Sequence, residues 1–261
     1  MKATEASLGQ ISDVTVGSLG VYLACTDSHR VWRVDADGNL REVAGNGSAG
    51  FNGDGAQGIG SQLSFPSALC LDRNGNLFIA DRDNRRIRKV DAYGVITTVA
   101  GNGDWAYGSD GNPALSMGLG MPVGIACDAN GRLYVSDRTD HAVRRIEPDG
   151  TSWTVAGSYR MPGFGGDGGA AYWALLSEPT KLATDGENLY VLDSGNHCVR
   201  HIDASGQIRT LAGTPQVPGY GNDGGPANAA PLHWPKGIFL DVAEGRLVVA
   251  DSGNNRIRSI K

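Results

Sequence analysis

Several features are scarce or missing in this 261-residue chain. No apolar run approaches the ~18 residues that a membrane-spanning helix needs, so membrane insertion is not expected. The opening stretch, MKATEASLGQ, has no apolar centre of the kind a secretory signal carries. As it stands the chain reads as cytoplasmic, with an extracellular or periplasmic home open if a signal has been removed. It has no long basic run and its formal charge is −5, which argues against nucleic acid as a partner. No stretch shows a sustained helical period. Cysteine is sparse too: Cys25, Cys70, Cys127 and Cys198 form no CxxC pair, so four buried or half-buried thiols are expected. The G-x-S-x-G, H-E-x-x-H and G-x-x-x-x-G-K-[ST] motifs are absent. No cofactor is called for.

What is plentiful is glycine and repetition. Thirty-nine glycines make about twice the average share. The triplet VAG stands at 43–45, 99–101 and 155–157 and returns as LAG at 211–213, a constant step of 56 residues. A fixed period of this size means an array of one supersecondary unit. The second repeat shows its content: 66–72, 77–81, 86–91 and 95–100 are short Val/Ile/Leu-rich stretches bounded by turn signals such as RNGN and DAYG. Four-stranded units in series are the blades of a β-propeller. The expected fold is therefore all-β, a five-bladed β-propeller of four-stranded antiparallel blades in one domain over 1–261. Its repeats run near 10–62, 63–118, 119–175, 176–231 and 232–261 plus 1–9. The chain stops on the third strand of the fifth repeat, so residues 2–7 are expected to pair with the last blade and close its open edge. Failing that, the fifth blade has three strands.

The recurrent pattern G-NLYV-D-GN-RIR-D--G-I-T-AG, present at 75–101, 131–157 and 186–213, resembles the NHL repeat. The resemblance covers nearly the whole chain and implies a β-propeller. Such propellers more often have six blades and a shorter period. The extra length here lies in glycine-rich loops like those of bacterial NHL-type proteins and teneurin-like extracellular propellers. The resemblance implies no single chemistry, since members bind proteins or RNA and a related amidating lyase is a metalloenzyme.

Two residue sets recur with the period. Asp81, Asp137, Asp193 and Asp251 end the second strand of their repeats, and Arg88, Arg144, Arg200 and Arg258 follow seven residues later. The first repeat has Cys25 and Trp32 there, so both members are lost together. This predicts a structural Asp–Arg pair across each hairpin, with bidentate geometry giving specificity. The glycine-rich loops each set an aromatic residue three before an aspartate: Phe51/Asp54, Tyr107/Asp110, Phe164/Asp167 and Tyr220/Asp223. The plain reading is that the ring pins the loop to its blade and the aspartate caps backbone N–H groups. The functional reading is a ring of platforms around a ligand, with metal a weak signal.

Meander topology puts these loops and the turns between second and third strands on one face. That face carries His29, Arg85, His141, His197 and Asn255 at one equivalent position, and Phe65, Met121, Glu178 and Trp234 each before a proline. Trp105, Arg160 and Trp173 add bulk from the loops. The binding face so drawn comprises Phe51, Phe65, Arg85, Trp105, Tyr107, Met121, His141, Arg160, Phe164, Trp173, His197, Tyr220 and Trp234. The three turn histidines are too spread around a ring to share one metal, and no metal site is expected. Glu178, Lys181, His233 and Lys236 are the candidates for an acid–base cluster at the channel mouth.

The expected function is a rigid scaffold that binds a protein, peptide or glycan through the glycine-rich-loop face, where aromatic and Arg side chains carry interface energy. A lyase or hydrolase at the channel mouth is the first alternative. A structural assembly module, cut from or designed after a longer repeat protein, is the second. The sequence sets no oligomeric state.

Overall fold

The structure, a computed structural model, describes residues 1–106 and 108–261. Tyr107 lies outside the described residues. The strands form five sheets in chain order. The first holds β1 (Ile11–Gly17), β2 (Gly20–Cys25), β3 (Arg30–Val34) and β4 (Leu40–Ala44). The second holds β5 (Pro66–Leu71), β6 (Leu77–Asp81), β7 (Arg86–Val90) and β8 (Ile96–Ala100). The third holds β9 (Pro122–Cys127), β10 (Leu133–Asp137), β11 (Ala142–Ile146) and β12 (Ser152–Gly157). The fourth holds β13 (Pro179–Thr184), β14 (Leu189–Asp193), β15 (Cys198–Ile202) and β16 (Ile208–Ala212). The fifth holds β17 (Gly237–Asp241), β18 (Arg246–Asp251) and β19 (Arg256–Ile260). These are the five blades of an all-β propeller, the last with three strands. The only helical elements described are single 3-10 turns.

Local chemistry sets each blade. The turn into the outer strand is an Asp-x-x-Gly in the first, second and fourth sheets: Asp91 Oδ1 accepts the N–H groups of Tyr93 (2.9 Å) and Val95 (2.9 Å), which holds the bend between β7 and β8. The end of that strand needs glycine. Gly101 sits at φ 86°, and a Cβ there would lie 2.2 Å from the Arg85 carbonyl oxygen. This contact is why the VAG glycine recurs.

By contact the chain divides into two compact units, 1–133 with 146–152, and 134–145 with 153–261. In the first unit, Leu69, Leu77, Ile79, Val90 and Ile96 pack with Tyr22, Ala24 and Leu63. Strands β1, β5 and β9 lie side by side there. Cys70 on β5 and Cys127 on β9 are joined by a disulfide. That corrects the expectation of four thiols; Cys25 and Cys198 alone are free, and both are buried. The two cysteines lie about one period apart on neighbouring inner strands, which brings their Cα atoms to 5.9 Å. In the second unit, Leu192, Val199, Ala212, Leu232, Leu247 and Val249 form the core.

The closure expected of residues 2–7 is also corrected. The segment forms a 3-10 turn at Ala3–Glu5 and binds the first sheet's own β3–β4 turn. Lys2 bridges Asn39, Ala3 N–H donates to the Gly38 carbonyl, and Leu40 N–H donates to Met1. Later in the chain the 3-10 turn Gly58–Gly60 does the same for the second sheet, with Gly58 N–H on the Gly94 carbonyl at 2.8 Å. The N-terminal segment is thus one more copy of a repeated loop element. Its polar, weakly strand-forming sequence suits that role better than a ladder.

Candidate binding surface

The second, fourth and fifth blades are each pinned by an arginine held between two carboxylates. Arg88 on β7 has no exposed surface. Its guanidinium lies 3.6 Å from Asp81 at the end of β6 and 3.0 Å from Asp54 in the glycine-rich loop. Arg200 lies 3.5 Å from Asp193 and 2.6 Å from Asp167, and Arg258 lies 3.8 Å from Asp251 and 2.6 Å from Asp223. Asp137 and Arg144 are buried likewise. Three of the four hairpin pairs read from the sequence are present, Asp81–Arg88, Asp193–Arg200 and Asp251–Arg258, and in each the loop aspartate is the nearer partner. Sequence reasoning missed that pairing. Its signal was there: a loop aspartate stands 33 to 35 residues ahead of each such arginine.

The hairpin carboxylate is a hub. Asp193 Oδ1 accepts the Ser177 N–H (2.7 Å), and its Oδ2 accepts the Asn196 amide (2.8 Å), which also donates to the Gly163 carbonyl (2.7 Å). Asp81 accepts in the same way from the Ser64 N–H and the Asn84 amide, which also donates to the Gly50 carbonyl. Burial pushes Asp81 up to about 6 and Asp193 up to about 7, against the opposing pull of the asparagine, the backbone N–H and the arginine.

The loop aromatics cover the arginines. Phe51 lies 4.0 Å from the Arg86 guanidinium and 4.8 Å from that of Arg88. Phe164 lies 4.8 Å from Arg200, and Tyr220 lies 4.3 Å from Arg256. These cation–π contacts fix the loop to the hairpin, as the plain reading of the loops had it. The loops do not stay at one end of the blade. Gly55 N–H donates to the Ile96 carbonyl and Ile96 N–H to Ala56, so the loop runs along the outer edge of the next blade. An otherwise open edge strand is thereby covered, which accounts for the long period.

A second device uses the turn histidines. His29, His141 and His197 sit in the left-handed region at φ 53°, 53° and 58°. Their Nδ1 atoms accept the backbone N–H of Phe65 (3.2 Å), Glu178 (3.1 Å) and Trp234 (3.2 Å), the residues before the next blade's proline. Those three are left-handed as well, at φ 52°, 47° and 44°. Accepting at Nδ1 requires the neutral ring, and burial lowers the pKa of His141 and His197 in agreement. Arg85 takes the same turn position but stacks on Trp105 at 4.5 Å instead.

The remaining candidates are placed as follows. In the first unit, Trp105 is 52% exposed over Arg85, Phe65 packs edge-on to His29 and under Arg82, and Met121 is half-buried. In the second, Trp234 is 40% exposed and edge-on to His197, and Arg160 reaches Asp140 at 3.4 Å. Trp173, 78% exposed, ends the 3-10 turn Ala171–Trp173, whose Ala171 N–H meets the Gly206 carbonyl at the β15–β16 turn. That is the opposite end of the fourth sheet from His197, so Trp173 is not brought beside it. Of the acid–base candidates, Glu178 is ion-paired with Arg138. The His233 ring lies 5.8 Å from the His197 ring, and the His233 backbone N–H donates to Asp251. Lys181 stands on β13, and Lys236 donates its N–H to the Ala250 carbonyl. Among the described residues no group of three or more His, Cys, Asp or Glu side chains is placed to hold a metal ion. Among the described residues no helix is long and apolar enough to cross a membrane.

The NHL repeat family matches residues 176–202, from the approach to β13 through β15. Teneurin-4 of Mus musculus is 28% identical over 278 residues, 92% of this chain. The curated relatives it matches are far longer proteins, of which this chain spans 6 to 18%. Among solved structures, an auxiliary nutrient binding protein from Bacteroides ovatus superposes with a TM-score of 0.72 at 17% identity, covering 98% of this chain and 60% of that one. Virginiamycin B lyase from Staphylococcus aureus superposes with a TM-score of 0.58 at 17% identity, covering 100% and 72%. The chain carries an NHL repeat on a β-propeller, and the likeness to these structures is one of fold.

Proposed function

We propose that this chain is a rigid binding scaffold whose exposed aromatic side chains, set beside arginine and histidine at the blade turns, take up a protein, peptide or glycan. The observation that carries this reading is a pair of immobilised platforms. Trp105 is stacked by Arg85 in the first unit, and Trp234 is braced by His197 in the second. Each ring is half in water while its backbone is fixed, so little conformational entropy is lost when a partner covers it. The likeness to a nutrient binding protein supports the reading. All five sheets are taken as one domain, for which a single unfolding transition by two probes is the check. The Cys70–Cys127 disulfide favours an oxidising compartment over the cytoplasm.

The test is a glycan array and a displayed peptide library probed with the protein and with Trp105→Ala and Trp234→Ala. A specific hit that either variant weakens roughly tenfold, with melting temperature kept, supports the scaffold. Binding to neither library, or hits indifferent to both variants, overturns it. Catalysis is the second reading, favoured by the close His197–His233 pair, with His233 acting beside Glu178, Lys181 and Lys236. The Arg138 ion pair on Glu178 weighs against a free carboxylate base there.

A further inference from the structure

Within the first unit a groove of about 430 Å³ opens between the second sheet, the start of β10 and the end of β11. Phe78 on β6 and Val99 on β8 wall one side, Leu133 and Ile146 the other, and Leu115 borders it from the 3-10 turn Ala114–Ser116. Its volume falls in the range of small-molecule pockets, about 300–1,000 Å³. One cation lines it, the half-buried Lys89 on β7.

The repeat supplies its own control for that lysine. The ladder position opposite the aromatic residue of the second strand is basic in three sheets: Arg33 faces Tyr22, Lys89 faces Phe78 and His201 faces Tyr190. In the first and fourth sheets the basic group is satisfied internally. The Arg33 guanidinium lies over the Tyr22 ring at 5.9 Å. His201 Nδ1 accepts the Arg209 Nε–H at 3.1 Å, and its Nε2 meets Asn188 at 3.0 Å. In the second sheet the residue across on β8 is Thr97, and among the described residues the Lys89 ammonium has neither an acceptor nor a ring beneath it.

We propose that this groove binds a small free monocarboxylate with an apolar body, its carboxylate on the Lys89 ammonium and its body against Phe78 and Leu133. Covering a lone ammonium with an apolar ligand strips its water at a cost, whereas a carboxylate replaces that water with a charge-assisted hydrogen bond. The lysine thereby selects acids over alcohols and amines of the same shape. Glu147 and Asp149 also border the groove. Asp149 is exposed and already accepts the Thr151 N–H (2.9 Å) and hydroxyl (2.7 Å). These two acids disfavour a second negative charge on the ligand, so dicarboxylates and phosphates fit less well than a monoacid. The site is separate from the aromatic platforms and does not depend on them.

The probes are 4-phenylbutyrate and octanoate, with 4-phenylbutanol and 4-phenylbutylamine as the neutral and cationic counterparts. Each is titrated into the intact, isotope-labelled protein and followed through its amide NMR signals. The expected result is saturable binding of at least one acid, with shifts centred on residues 78, 89, 99, 133 and 146, and binding of the alcohol about tenfold weaker. Lys89→Met weakens the acid about tenfold or more, and Lys89→Arg, which keeps the charge, retains it. Leu115→Asp, on an exposed side chain and so folded by its melting curve, weakens it as well. Absence of shifts from both acids up to about 10 mM overturns the inference, as does acid binding that Lys89→Met leaves unchanged. So does an alcohol that binds as well as the acid. Tighter binding of the amine overturns it too, since the occupant's charge would then rest on Glu147 and Asp149.

Discussion

The fourth and fifth sheets are built from nearly the same parts, yet only the fourth is finished by an outer strand. In both, an arginine on the third strand bridges a hairpin aspartate and a loop aspartate, and an aromatic ring covers it. The hub asparagine is equally intact, Asn254 bonding Asp251 and the Gly219 carbonyl as Asn196 bonds Asp193 and the Gly163 carbonyl. The clamp is therefore a property of hairpin and loop alone. What the outer strand adds is burial. Arg200 is fully covered and Arg258 is 11% exposed, while the loop aspartates go from 41% exposed at Asp167 to 60% at Asp223. Tyr220 has moved its hydroxyl onto Asp223, at 2.7 Å.

That contrast can be broken first at the apolar position. Val199→Asp sets a carboxylate with no designed partner into a site of no exposure, and the cost of several kcal/mol is expected to unfold a domain of ordinary stability. Ile257→Asp, on the bare edge, is expected to change stability by less than about 0.5 kcal/mol. Urea melts of the two variants make the comparison. Equal losses would show that the β19 edge is covered in solution.

The arginines come next. Arg200→Ala leaves the unexposed Asp193 its Asn196 and Ser177 donors but no cation, at a site closed to water, and should cost about 3–5 kcal/mol. Arg258→Ala leaves Asp251, itself unexposed, the matching Asn254 and His233 donors, but the place of the 11%-exposed arginine opens to water, so about 1–2 kcal/mol is expected. Urea midpoints at constant slope measure both.

The pH dependence of the fourth sheet follows from the same burial. Asp193 titrates at about 7 in the folded chain against an ordinary value of 3.8. Between those values the native state holds a proton that the unfolded state has released, so this group's contribution to stability falls as pH rises from about 4 to about 7. Asp193→Asn, which cannot ionise, removes that slope. The wild type should lose ground to the variant across the window by on the order of 1–3 kcal/mol and hold level above it. A flat difference would mean that Arg200 and Asn196 keep the carboxylate ionised throughout. Asp81, at about 6, should repeat the effect over a narrower range.

Much of this was legible in the sequence because a repeat exposes its own rules. The strands predicted at 66–72, 77–81, 86–91 and 95–100 fall within one or two residues of β5 to β8. The joint loss of aspartate and arginine at Cys25 and Trp32 pointed to their pairing. What escaped were links across the period. The Asp54–Arg88 contact spans 34 residues and the disulfide 57, and no local propensity reports either. The histidines escaped for another reason: an Nδ1 that accepts a backbone N–H from the next blade cannot be told by residue type from a solvated turn. Trp173 was assigned to the wrong end of its sheet because the loop follows the outer strand down to the β15–β16 turn before returning.

The smallest effect tests the finest difference between the two clamps. Phe164 offers Arg200 only its ring, whereas Tyr220 also donates its hydroxyl to Asp223, and that bond is the first cause holding the Asp223 carboxyl below its usual range. Tyr220→Phe restores the fourth sheet's chemistry in the fifth. The pair is solvent-exposed, so the melting curve should hardly move. The carboxyl titration of Asp223, followed by NMR, should rise toward the ordinary value while Arg258 remains bound to it. If it stays put, Arg258 alone sets the charge of Asp223, and the tyrosine hydroxyl is a bystander. If it rises, the hydroxyl is standing in for the threonine that meets this carboxylate's counterparts in the finished sheets.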